Sequence, residues 1–215
     1  MKSLIEYIRE GFADKGESPG KHGVMTFGRM NPPTAGHEKV VNKVHEVAKK
    51  HDAEHRVVLS GSHDTTPKEK TANKNPLSPE SKGKHAKNAF PGTNVHVANK
   101  GETMLHHAAK MHAAGVEHLH MVVGSDREKA THDLLHQYND VPSKHGHYNF
   151  KSITVHSSGE RDPDEEGVAG ISASKMRAHA ANGNKDEFHK NLPSKMKPAH
   201  RDALYNDLRK SMGHK

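Results

Sequence analysis

Short apolar runs alternate with helical patterns through the middle of this chain, and that alternation leaves few folds open. Residues 22–27 read as a first strand. Val40, Val41, Val44, Val47 and Ala48 then recur on one stripe of a helix that runs to about Lys50. Residues 56–60, 94–98, 118–123 and 152–156 read as four further strands. Between them lie helices over 78–89, over 102–114 and through Leu134 and Leu135, and Gly115 stands where a left-handed residue ends a helix. From Ser172 onward the pattern is helical. Five strands separated by helices imply an α/β fold, an open, doubly wound parallel sheet with helices on both faces and further helices at the C-terminus. In such a sheet the ligand site lies beyond the carboxyl ends of the strands.

The core must be thin. Only 31% of residues belong to the apolar set and 4% are aromatic, against a globular norm of ~45–50% on a similar set that includes Gly. With 33 basic and 26 acidic residues the formal charge is +7, which favours anionic partners. With no cysteine, disulfide frameworks, thiolate zinc sites and cysteine nucleophiles are excluded. No run approaches the ~18 apolar residues of a membrane span, and MKSLIEYIRE lacks the apolar stretch of a secretory signal. The expectation is a soluble, cytoplasmic protein with no membrane partner.

Two segments carry chemistry. The first, GRMNPPTAGH over residues 28–37, joins the first strand to the first long helix. Its two prolines and two glycines make a stiff turn whose backbone N–H groups can face a ligand, and the helix directs its positive end at the same point. A phosphate site is one reading, and a strand-to-helix connection with a histidine at the helix start is the other. The second, ISASKMR over residues 171–177, is another helix start. There Ser172 or Ser174 can cap N–H groups or offer a hydroxyl to phosphate, and Arg177 reaches the same anion one turn later.

GRMNPPTAGH closely resembles the first signature of the HIGH-type nucleotidyltransferases, G-x-F-x-P-x-(H/T)-x-G-H, with Thr34 at the (H/T) place, His37 at the terminal His and Met30 replacing the aromatic. ISASKMR is similar to the family's I-S-S/A-T-x-x-R signature, with Ser174 for Thr. Val122-Val123-Gly124-Ser125-Asp126-Arg127, after the fourth strand, resembles the G-x-D turn placed near base and ribose. Asn75-Pro76-Leu77-Ser78-Pro79-Glu80 resembles the N-P-F-T-x-x-E-R segment of the nicotinamide-nucleotide branch, Lys82 replacing the Arg at one remove.

The resemblance covers roughly residues 22–181 and implies a Rossmann-like HUP-type domain there, with residues 1–21 as a peptide before it and 182–215 as a helical segment after it. It implies that a substrate oxygen attacks the α-phosphorus of a nucleoside triphosphate, ATP or CTP, and releases pyrophosphate. Thr34 and His37 would contact triphosphate oxygens, and Arg177 and Ser174 would hold the β/γ end. Gly28, Arg29, Asn31, Gly36 and Ser172 would complete the nucleotide site, with Mg²⁺ bridging phosphates and no metal held by the protein itself. Lys68, Lys70, Lys74 and Asn75 would meet a small phosphorylated acceptor, although solvated lysines are the plainer reading of the first three. The motifs lean toward adenylyl transfer to nicotinamide mononucleotide, with cytidylyl transfer to an alcohol phosphate as the rival.

Leu4, Ile5, Ile8 and Phe12 share one helical face, in a segment near the ~12–15 residue limit for isolated helices. MKSLIEYIREG resembles the N-terminal targeting peptides of internal head proteins of large tailed bacteriophages, which are cut after a hydrophobic-x-Glu triplet, here Ile8-Arg9-Glu10. That resemblance implies a phage-encoded protein in the host cytoplasm, packaged through contacts of residues 1–12 with head proteins. A non-catalytic, virion-associated protein that keeps the domain is the alternative to an enzyme, though a scaffold needs none of Thr34, His37, Ser174 and Arg177.

Twenty-two histidines raise a metal reading. His51/His55 and His132/His136 have helical i, i+4 spacing and His145/His147 alternate, but no H-E-x-x-H occurs, and solvated surface histidines are the expectation. Five Phe, four Tyr and no Trp leave little for stacking bases, so no specific nucleic-acid partner is expected.

Overall fold

The structure is a computed structural model, and it describes residues 20–64, 74–159 and 172–214. The N-terminal peptide, Lys68, Lys70, Ile171 and the acidic segment 160–166 lie outside the described residues.

Five parallel strands form one sheet in the order β3-β2-β1-β4-β5. They are β1 (His22–Gly28), β2 (Glu54–Leu59), β3 (Val95–Val97), β4 (His118–Val123) and β5 (Ser152–Ser157). The helices are α1 (Ala35–Lys50), α2 (Pro79–Ala89), α3 (Met104–Ala113), α4 (Glu128–Gln137), α5 (Ala173–Ala181), α6 (Lys185–Lys190) and α7 (Pro198–Ser211), with a 3₁₀ turn at Ser125–Arg127 before α4. This is a Rossmann-like open sheet. Its winding reverses between β1 and β4, the neighbouring central strands.

Successive strand residues face opposite ways. Val24 packs with Val44, Val47 and Ala48 of α1, while Met25 packs with Leu105, Ala108 and Met111 of α3. Thus α1 covers one face and α3 the other. On the α1 face, Val57 and Leu59 of β2 meet Ala86 and Ala89 of α2 in a cluster that also holds Met176, Phe188, Leu204, Tyr205 and Leu208. The last three helices therefore share the sheet's own core. The thin apolar supply is supplemented by methionines, with Met25, Met111, Met121, Met176 and Met196 almost wholly buried. Met30 lies in the same cluster as Leu59 and Leu77, so the residue standing for the signature's aromatic packs as core. Among the described residues no helix is long and apolar enough to cross a membrane.

The expectation of solvated histidines needs correction. His85, His107, His118 and His120 are all buried, His85 completely. His118 and His120 alternate along β4, a strand buried on every residue, so their rings must lie beneath a helical layer. Of the pairs picked out by spacing, His132 and His136 do stack on the surface of α4, whereas His55 meets His45, and His51 lies against His22 and His120.

Candidate functional site

A cavity of about 220 Å³ opens at the carboxyl ends of β1, β4 and β5, where the winding reverses. It is lined by residues of both signatures. Gly28, Arg29, Asn31, Thr34, Gly36 and His37 come from the β1–α1 connection; Gly124 and Asp126 follow β4; Ser172, Ser174 and Arg177 open α5; and Lys74 stands at one side. Two stretches some 140 residues apart in sequence thus share one pocket.

Local chemistry explains the arrangement. Thr34, in extended conformation, caps α1: its Oγ1 accepts from His37 N–H at 3.3 Å, and its own N–H donates to His37 Nδ1 at 3.1 Å. This reciprocal cap uses a histidine where Glu or Gln is usual. Because Nδ1 accepts, the ring's hydrogen sits on Nε2, the nitrogen away from the cap. The cap alone does not mark a site, since Thr103 and His106 repeat it at the start of α3. His37 differs in lining the cavity.

Arg177 is 5% exposed and joins the two signatures directly, its Nη1 donating to Asn31 O at 2.8 Å and its Nη2 to Ser174 Oγ at 2.9 Å. Its Nε, also buried, has no hydrogen-bond partner among the described residues. Burial, then the neighbouring Arg29 cation, pulls the Arg177 pKa below its usual value. The Ser172 side chain caps α5 by accepting from Lys175 N–H at 3.2 Å. Two helix N-termini therefore converge on the cavity, and each favours an anion.

Asn31 and Asn75 serve as supports. Asn31 Nδ2 donates to Asn75 Oδ1 and to Leu77 O, Asn31 Oδ1 accepts from Leu77 N–H, and Asn75 Nδ2 donates to Ser62 O. Asn75 is buried behind the loop and does not line the cavity. Beneath them lies Lys82, fully buried, whose Nζ donates to Ser60 O at 2.7 Å, Ser62 O at 2.8 Å and Asn75 Oδ1 at 3.3 Å. Burial first, then Arg29, pushes its pKa down to about 8. The lysine standing near the signature's arginine thus braces the loop from behind.

Sequence reading missed Lys39, Phe27, Ser158 and Gly159 and gave no role to Arg127, all of which line the cavity. Lys39 had a legible signal, because a cation near a helix's positive end is unfavourable unless an anion binds there. Arg127 follows the Gly-Ser-Asp turn and pairs with Asp126 at 3.8 Å. Among the described residues the lining carries Arg29, Lys39, Lys74, Arg127 and Arg177 against one carboxylate, Asp126. Such a set of cations attracts anions. No known family model matches the chain, and no curated protein matches it.

Proposed function

We propose that this protein is a nucleotidyltransferase that moves a nucleoside monophosphate from ATP or CTP to a small phosphorylated metabolite and releases pyrophosphate, with adenylyl transfer to nicotinamide mononucleotide as the leading case. One observation carries the reading: His37 and Arg177, from the two motifs, line one cation-rich cavity at the switch point of the sheet.

The chemistry asked of the residues is positioning and charge stabilisation. An acceptor phosphate oxygen attacks the α-phosphorus, the bond to the β-phosphate oxygen breaks, and pyrophosphate carries the electron pair away. The N–H groups opening α1 and the Nε2 hydrogen of His37 donate to phosphoryl oxygens as their charge grows. Ser174 and Arg177 hold the departing pyrophosphate, whose charge also relieves the crowding of Arg29 and Arg177. Mg²⁺ bound to the triphosphate would neutralise part of that charge. Lys74, exposed at the cavity side, is placed to draw in the acceptor's phosphate. Among the described residues, Phe27 is the aromatic hydrocarbon side chain in the lining that a base or pyridine ring could meet.

The test is pyrophosphate release from a matrix of nucleoside triphosphates and phosphorylated acceptors with Mg²⁺. Release that needs both a triphosphate and one acceptor supports the proposal. Triphosphate binding without release under any pairing favours a non-catalytic descendant of such an enzyme.

A further inference from the structure

At the other end of α1 the molecule holds a second cluster with its own chemistry. His22 begins β1, His120 lies on the neighbouring strand β4, and His51 follows the last residue of α1. The register pairs His22 with His118 and Val24 with His120, so His22 and His120 project from the same face of the sheet, the face α1 covers. One ring nitrogen from each of His22, His51 and His120 falls within 4.8 Å of the others. The 14 residues from His37 to His51 put this cluster roughly 20 Å from the phosphate cavity, at 1.5 Å per residue. It shares no residue with that cavity.

We propose that His22, His51 and His120 form a binding site for a divalent first-row transition ion, with Zn²⁺ as the expected occupant, which clamps β1, β4 and the end of α1 together. Three features support it. The first is donor type: three imidazoles are a ligand set for Zn²⁺ that leaves a fourth position for water. The second is separation. Zn–N bonds of ~2.0–2.1 Å at tetrahedral angles set ligand nitrogens about 3.4 Å apart, so about an ångström and a half of closure at most is needed, and the half-buried His22 and His51 can turn to provide it.

The third feature is the surrounding shell. His22 Nδ1 lies 2.9 Å from His120 Nε2, so one of the two carries a hydrogen. An ion between them takes that hydrogen's place, and the ring that held it shifts its proton to its other nitrogen. On its far side His120 Nδ1 lies 3.0 Å from His156 Nε2. A ligand histidine that binds through one nitrogen and donates from the other to a fixed acceptor is the usual pattern around such ions. His22 and His51, at the rim, leave a path from solvent.

The experiment is Zn²⁺ titration of the metal-free full chain against a chelating indicator, with Co²⁺ absorption as a second readout. A chain this rich in histidine also binds ions weakly elsewhere, so three variants are compared. Wild type should take up one tight equivalent, with tetrahedral-type Co²⁺ bands and a rise in melting temperature. His51→Ala, at the half-exposed helix end, should weaken that equivalent by ~100-fold or more and abolish the bands; His156→Ala should weaken it ~10–100-fold, as loss of an outer-shell partner does. The double variant His132→Ala/His136→Ala, which removes the exposed stacked pair on α4, should leave it unchanged. If wild type and His51→Ala bind alike, or if the α4 double variant removes the tight equivalent, the proposal is overturned. Neither result bears on nucleotidyl transfer.

Discussion

His37 caps α1 in the structure and acts as a donor in the proposed reaction, and the two roles can be separated by substitution. Its Nδ1 accepts Thr34 N–H and completes the cap of α1, while in the proposed reaction the Nε2 hydrogen of this cavity-lining ring donates to a phosphoryl oxygen. In His37→Ala both are lost. Thr34 Oγ1 still caps the helix, so only the reciprocal half goes, worth ~0.5–1 kcal/mol. At ~2–4 °C per kcal/mol for a chain of this size, the melting temperature should fall by about 1–4 °C. Loss of one preorganised donor to a growing oxyanion should lower turnover by ~10²–10³, or ~2.7–4 kcal/mol. Glu at the same position restores the reciprocal cap but offers no donor. His37→Glu should therefore melt near wild type yet be at least as inactive as His37→Ala. Thermal denaturation and pyrophosphate release, with the substrate pair wild type turns over, read the two effects separately. If His37→Ala stays within about tenfold of wild-type turnover, or if His37→Glu recovers turnover with stability, the histidine is a cap and the donor argument fails.

Three further expectations rest on buried polar groups. Lys82→Met leaves Ser60 O without its donor and takes one of two donors from Ser62 O, which keeps Asn75 Nδ2, so it should lose about 3 kcal/mol and lower the melting temperature by about 6–12 °C; an unchanged midpoint refutes the bracing role. Arg177→Lys cannot span Asn31 O and Ser174 Oγ as a fork, so triphosphate affinity measured by calorimetry should fall ~10–100-fold, the size of one charge-assisted hydrogen bond, and equal affinity would remove Arg177 from the site. Burial lowers the pKa of His85, despite its contact with Asp207, and of His107. As pH drops below the unfolded value of ~6.5, the unfolded chain takes up protons before the native one does. Stability is then full above that pH and should fall below it by up to ~1.4 kcal/mol per pH unit per histidine. Denaturant titrations between neutral and mildly acidic pH would show this, and a flat profile there refutes it.

How far the sequence reveals this molecule depends on whether neighbours in the chain or neighbours in space decide a feature. The carboxyl end of β4 is legible because the apolar run Met121–Val123 stops at Gly124, and all six residues of the strand are buried. The start of β2 is less so: pairing runs from Glu54, opposite Gly23, although the first residues of the strand are not buried, so register rather than hydropathy sets that edge. The continuous helical pattern after Ser172 is in fact three helices. Gly183 has a left-handed φ of 79°, and Pro198 starts the last helix, so backbone chemistry breaks what side-chain periodicity leaves whole.

The cavity lined by the two motifs is readable because each half is local, a capped helix start behind a strand or loop, and helix starts announce themselves in sequence. The histidine cluster follows the opposite rule. His22, His51 and His120 are 29 and 69 residues apart in the chain, and only the parallel register of β1 on β4 and the length of α1 bring them together. Their one local signal is the alternation of His118 and His120 along an otherwise apolar strand, which places two imidazoles on a buried face. Lys82 repeats the lesson on a helix. It lies on the stripe of Ala86 and Ala89, so its position is that of a core residue, and a charge at such a position needs acceptors held there. Periodicity assigns a face to each side chain, and a polar residue on an apolar face predicts an organised set of partners even when the sequence does not identify them.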